Sequence, residues 1–405
     1  MSGNRKMRRI GSLLAMVIVA TLGVVTPAAG IRELPGSPYR IGSSGLVFSP
    51  DGRWLVTLDS SADGDATPLW VMSVNTKTGE LHRARGAPLG VGGIPQSAAF
   101  SRDGRMLAVS TIPAGCCSHA GASGPIVVFS VNSRTGALHQ VSSWSDPIAL
   151  VDTVAFSPRG GLLAAEDDGS RTANAGVTLL TVNRRTGALR YASRWAGPSN
   201  MGEDQGDMTF NPSGSLLALL FERIGPYDQS VEILSVNHRT LTPLAHDHPQ
   251  PGAIPGELAF SPDGSLIATT NTDLNTVSVL RLDQATGALP PVPGSPFDTG
   301  VTPESLAFSP DGGLLAVADA DGPDFSVFSV ISGTGSLHPI PGSPFGSRIP
   351  DAGANAVAFS PRGNLLAYGT GFEDPYAADD TAQDVQVFSA VFCDDPDHDG
   401  DCDPS

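Results

Sequence analysis

One short phrase recurs seven times along this chain, and the recurrence leaves few folds open. Each copy is an apolar run ending in Phe, then a turn, then a second apolar run. The Phe is Phe48, Phe100, Phe156, Phe210, Phe260, Phe308 or Phe359. The mean spacing of about 52 residues falls in the range of propeller blades and other repeat arrays. The turn reads Ser-Pro-Asp-Gly at 49–52, 261–264 and 309–312, and Ser-Pro-Arg-Gly at 157–160 and 360–363. Proline presets the second position of such a turn, and glycine takes the left-handed one.

After a variable loop comes an alternating, β-branched run: "IVVFSV" (126–131), "VEILSV" (231–236), "FSVFSV" (325–330). A second turn follows, "NSRTGAL" (132–138), "NRRTGAL" (183–189) or "DQATGAL" (283–289), and leads to a more polar fourth run. No window joins a sustained 3.6-residue period to helix caps, and the 47 Gly and 34 Pro suit a turn-rich chain. The pattern predicts an all-β fold, a seven-bladed β-propeller with four-stranded blades. One such unit cannot bury both faces of its sheet, so the units must stack about an axis. The residue before the Phe is small in six copies (Ala99, Ala155, Thr209, Ala259, Ala307, Ala358), with Val47 the exception. Small side chains suit an innermost strand where blades converge.

The seventh unit stops after its third strand, "VQVFSA" (385–390). Its missing fourth strand has a counterpart at the other end of the chain. "ELPGSPYRIGSSG" (33–45) matches the fourth-strand segments "LPPVPGSPFDTG" (289–300) and "LHPIPGSPFGS" (337–347). The N-terminal strand is therefore expected to complete the last blade. The expected organisation is a signal peptide over 1–30, the propeller over 31–392 and an acidic, Cys-containing tail over 393–405.

The signal-peptide reading rests on Arg5, Lys6, Arg8 and Arg9 ahead of the apolar run "LLAMVIVATLGVV" (13–25) and the small residues of "TPAAG". That run is short for a membrane span, so no stable span is expected after cleavage. A secreted, extracellular protein is expected, with Arg8-Arg9 leaving twin-arginine export open and association with the cell envelope also open. Removal of 1–28 takes away four positive charges and no acid, moving the net charge from −17 to −21. A chain this acidic excludes non-specific binding to nucleic acid or anionic lipid and favours a cationic ligand, a basic protein or a cell-wall component. A monomer is expected.

The order "AFSPDG", "VSVFSV", "TGAL", "VPGSPF" resembles the seven-bladed lactonase-like propellers, which include 6-phosphogluconolactonase and YVTN-type repeat proteins. The resemblance covers about 31–392 and implies the propeller fold. For the enzymes of that group it implies lactone chemistry without a metal or nucleophilic triad, using a His just before an inner strand, a "DLG.D" segment and channel Arg residues. Here the positions three and four before the motif Phe hold no His, and "DADGPD" (319–324) and "EDDGS" (166–170) are poor matches to the second segment. No catalytic residue carries over.

Four acids stand on connectors into inner strands: Asp152, Asp207, Glu257 and Glu304. They are the candidate ligand-binding residues of an acidic channel mouth. The tail offers a candidate calcium loop in Asp395, Asp397, Asp399 and Asp401, with Gly400 permitting the turn and no acid at the twelfth position. Cys393 and Cys402 are close enough in sequence to bridge, while Cys116 and Cys117 are adjacent. His82, His139 and His338 fall at equivalent outer-strand positions, and the "HDH" at 246–248 is a weak metal pair. Hydrolase, zinc-protease and P-loop motifs are absent from the sequence. The favoured reading is a secreted, non-catalytic propeller that binds through its acidic loop face. The alternative is an exported lactonase with a divergent active site.

Overall fold

Seven antiparallel sheets, each entered through one copy of the repeated phrase, surround a central channel in the computed structural model. The structure describes residues 28–41, 44–59, 68–113, 124–145, 151–167, 175–198, 207–223, 228–244, 255–321, 325–346, 354–370 and 384–393. The third blade is typical, with Val151–Phe156 innermost, then Leu162–Asp167, Gly176–Val182 and Leu189–Ala196. One 3-10 turn, Thr272–Leu274, is the only helical element among the described residues. None of their helices is long and apolar enough to cross a membrane.

The first turn of each unit is built the same way from its sequence. In the first blade, Gly52 adopts φ +69° and its N–H donates to Ser49 O at 2.8 Å. Ser49 Oγ donates to Asp51 at 2.7 Å and accepts from Trp54 N–H at 3.0 Å. The turns at Ser101, Ser261 and Ser309 repeat both bonds. The serine and aspartate thus fix the turn together.

Side chains alternate along the inner strand, and the alternation explains the small residue before each Phe. Phe308 and Leu306 pack in one apolar cluster, and Ala259 of the preceding blade packs into the same cluster. Phe359 likewise meets Ala307, Phe210 meets Ala155, and Phe156 meets Ala99. Each Phe therefore fills the wedge beneath the previous blade, where only a small side chain leaves room. Each of the seven main clusters holds one motif Phe.

The seventh blade runs Ala354–Phe359, Leu365–Thr370, Asp384–Cys393, then Ala28–Glu33 from the other end of the chain. Leu34 N–H donates to Val387 O at 2.9 Å, and Tyr39 pairs with Val385. Ser37 Oγ accepts from Val387 N–H at 3.2 Å. Ser295 and Ser343 accept from Val279 and Val327 in the same way in the fifth and sixth blades. The candidate calcium loop, Cys402 and the "HDH" segment lie outside the described residues, as do Cys116 and Cys117.

Candidate functional site: an acid-lined channel

The inner strands of all seven blades line a cavity of ≈ 860 Å³ along the axis. At its connector end stand Asp207, Glu257 and Glu304, with Ser44, Gln96, Thr153 and Asn355 completing the circuit. No Lys, Arg or His lies among the described lining residues. At the turn end, an adjoining cavity of ≈ 410 Å³ is walled by Phe48, Phe210, Phe260, Phe308 and Phe359.

The position three before the motif Phe faces the following blade, and its polar side chains use that placement. Asp207 Oδ2 accepts from Leu258 N–H of the fifth blade at 2.9 Å. Glu257 Oε2 accepts from Leu306 N–H of the sixth at 3.0 Å. Ser305 accepts from Val357 N–H at 3.2 Å, and Ser97 from Val154 N–H at 3.3 Å. These side chains act as clasps between neighbouring inner strands. Asp207 Oδ1 also accepts from Met208 N–H at 2.7 Å.

The clasps place carboxyls close together in a poorly solvated space, and their protonation responds. Burial, reinforced by the Asp207 charge, pushes Glu257 up to about 8 against the bonds from Ser305 and Leu306. Burial also raises Asp207, partly offset by its two backbone donors. Glu304 is exposed at its strand end and is raised by partial desolvation and by Asp321. Glu257 thus holds its proton well above the ordinary carboxylate range.

Asp152 takes a different place. It is buried beside Glu166 and not on the channel wall, and its backbone carbonyl accepts from Ser110 Oγ at 2.7 Å. Glu166 is pushed well above the usual range by burial, then by Asp152, Asp207 and Asp167, with a Thr153 hydrogen bond opposing. Its Oε2 is buried without a hydrogen-bond partner among the described residues. Asp167 is held by Arg194 through two bonds of 2.7 and 3.0 Å. Arg194 passes over Gly176, where a Cβ would come within 2.9 Å of the guanidinium. Glu166 and Arg194 were not singled out from sequence. Glu166 was visible only as the first letter of "EDDGS", and nothing in an outer-strand Arg announces that it reaches back to a second strand.

Among the described residues, no group of three or more His, Cys, Asp or Glu is placed to hold a metal ion. His82, His139 and His338 are all exposed on outer strands.

The fold and channel define a seven-bladed β-propeller. No family model and no curated protein matches the chain. Among solved structures, the periplasmic gluconolactonase of Pseudomonas aeruginosa is 22% identical, with TM-score 0.59, covering 75% of this chain and 85% of that one. The β-propeller domain of Cps50 (Swd1) from Myceliophthora thermophila is 15% identical, with TM-score 0.56, covering 87% and 99%. Hydrazine synthase of Kuenenia stuttgartiensis is 16% identical, with TM-score 0.55, covering 83% and 95%. Neighbours this varied share the architecture, and the site must speak for the chemistry.

Proposed function

We propose that this protein is an exported, non-catalytic propeller that binds a cationic group, an amine or guanidinium, at the connector mouth of its channel. The observation that carries the reading is the lining itself: Asp207, Glu257 and Glu304 without a basic residue among the described ones. A bound cation would oppose the burial and the Asp207 charge that raise Glu257, so binding and proton release are coupled. Asp207 and Glu257 are both committed as acceptors to the backbone of the next blade, and Asp207 Oδ1 also accepts from Met208 N–H.

The test is a titration of the full chain with tetralysine at low and physiological salt. The reading expects saturable binding that weakens as salt rises, and its loss in the D207N/E257Q/E304Q variant. Binding that is absent, or equal in the variant, rejects it. The second reading, a lactonase with a divergent site, draws on the gluconolactonase neighbour and on Glu257 as a protonated carboxyl able to act as a general acid. Turnover of a sugar-acid lactone within the usual enzyme range of roughly 1–10³ s⁻¹, lost in E257Q, would select that reading instead.

A further inference from the structure

We propose that the cleft between the first turns of the second and third blades binds an oxyanion, a phosphate or sulfate group. The repeat supplies its own control. The clefts between blades two and three and between blades five and six are built from equivalent positions, with cavities of ≈ 280 Å³ and ≈ 440 Å³. In the fifth-to-sixth cleft three of those positions hold Pro262, Asp311 and Ser332. In the second-to-third cleft the same three hold Arg102, Arg159 and Arg184. The floor is conserved in character, with Met106 and Val182 in place of Leu266 and Val330. Arg102 and Arg184 are departures from the repeat found in this cleft alone, whereas Arg159 recurs as Arg362 in the seventh blade and reaches Ser213 O of the fourth.

The guanidiniums are placed but not neutralised. Arg102 donates to Pro158 O at 3.1 Å, Arg159 to Ser213 O at 2.7 Å and Arg184 to Arg159 O at 2.6 Å. Each bond spends one N–H on a backbone carbonyl, out of the five that a guanidinium carries. None of the three forms an ion pair among the described residues. The one carboxylate on the wall, Asp103, is engaged by Ser101 Oγ at 2.7 Å and lies 3.9 Å from Arg105. The fifth-to-sixth cleft instead carries Asp263 and Asp311 against a single guanidinium, Arg281, tied to Gly333 O and Thr334 O.

Arg159 and Ser157 stand apart from Arg102 and Arg184. Arg159 sends its Nε–H to Ser213 O of the fourth-blade turn, and the buried Ser157 Oγ lies against Gly214 of the same turn. Arg102 and Arg184 each donate to a backbone carbonyl of the third-blade turn and keep their remaining N–H groups unspent among the described residues. Two unneutralised guanidiniums in one cleft are a donor set for a tetrahedral oxyanion, which planar forked N–H groups suit.

The experiment titrates inorganic phosphate and inorganic sulfate into the full chain at constant ionic strength, with chloride as the reference. It compares the natural chain with R102P, R159D, R184S and the triple variant. These substitutions install residues the repeat already uses at the same positions, and melting curves check that the ring is intact. The expected result is saturable binding of phosphate or sulfate, weakened about tenfold by R102P or by R184S, less affected by R159D, and lost in the triple variant. Glucose 6-phosphate and glucose 6-sulfate then distinguish which ester is preferred. Absence of saturable binding in the natural chain overturns the proposal. So does binding that the folded triple variant retains, because the anion would then occupy another place. Neither outcome bears on the acidic mouth, which this titration does not engage.

Discussion

The two ends of the channel are made by the same seven strands, and they hold together by different physics. At the turn end, the motif Phe residues fill wedges between blades, and burial of apolar surface does the work. That attraction is indifferent to pH and weakly sensitive to salt. At the connector end, three residues earlier on the strands, Asp207, Glu257, Ser305 and Ser97 join blades by accepting backbone N–H groups. Two of those four acceptors are carboxyls crowded enough to shift their own protonation. The apolar end supplies stability under all conditions. The acid end supplies less, and supplies it conditionally, which is the property a responsive binding site needs.

The largest expected effect comes from breaking the apolar end. Phe210 is 6% exposed in the cluster shared by the third and fourth blades. Phe210→Ala should cost about 3–5 kcal/mol in urea unfolding, equally at acid and alkaline pH. A cost that varied strongly with pH would mean that the two ends are not separable. Next comes Asp207→Ala, which leaves Leu258 and Met208 N–H groups without their acceptor and should cost about 1–3 kcal/mol. Asp207→Asn keeps an oxygen there and should recover most of the loss.

The regularity of the fold was written openly in the sequence, and the chemistry of the channel was not. The Phe spacing and the Ser-Pro-Asp-Gly turns announce seven blades because each copy has to make the same turn and fill the same wedge. Asp207, Glu257 and Glu304 could be placed at the channel mouth by counting back from the Phe. Their role as clasps could not, since it depends on which N–H of the next blade lies opposite. Asp152 stands four before its Phe, as Glu304 does, and yet is buried beside Glu166, while Thr153 lines the channel in its place. The arginine cleft was hidden differently. Arg102 and Arg184 are far apart in the sequence and line one cleft only because a turn of the second blade and a hairpin of the third converge.

A smaller effect, and a sharper one, concerns the conditional end. Folded Glu257 keeps its proton up to about 8, whereas an unfolded Glu releases it near 4.5. Between those values the folded state binds the extra proton, so this residue makes stability fall as pH rises through that window. Glu257→Gln retains an oxygen for Leu306 N–H and removes the titration. The variant should match the natural chain near pH 4 and melt a few degrees higher at pH 9. Equal melting at both pH values would mean that Glu257 titrates normally. Smallest of all, Glu304→Gln should change stability by no more than about 0.5 kcal/mol, since its side chain is exposed. Its expected signature is weaker tetralysine binding at low salt, converging with the natural chain as salt rises.

The most direct test of the cation site follows the Glu257 carboxyl by carbon NMR across a pH titration, with and without tetralysine. The signal is assigned by its absence in E257Q. The expected result is a midpoint near 8 in the free protein, moving to lower pH when the cation is bound, because a positive charge beside the carboxyl favours its ionised form. A midpoint that tetralysine leaves in place would contradict the assignment of this mouth as a site for cations.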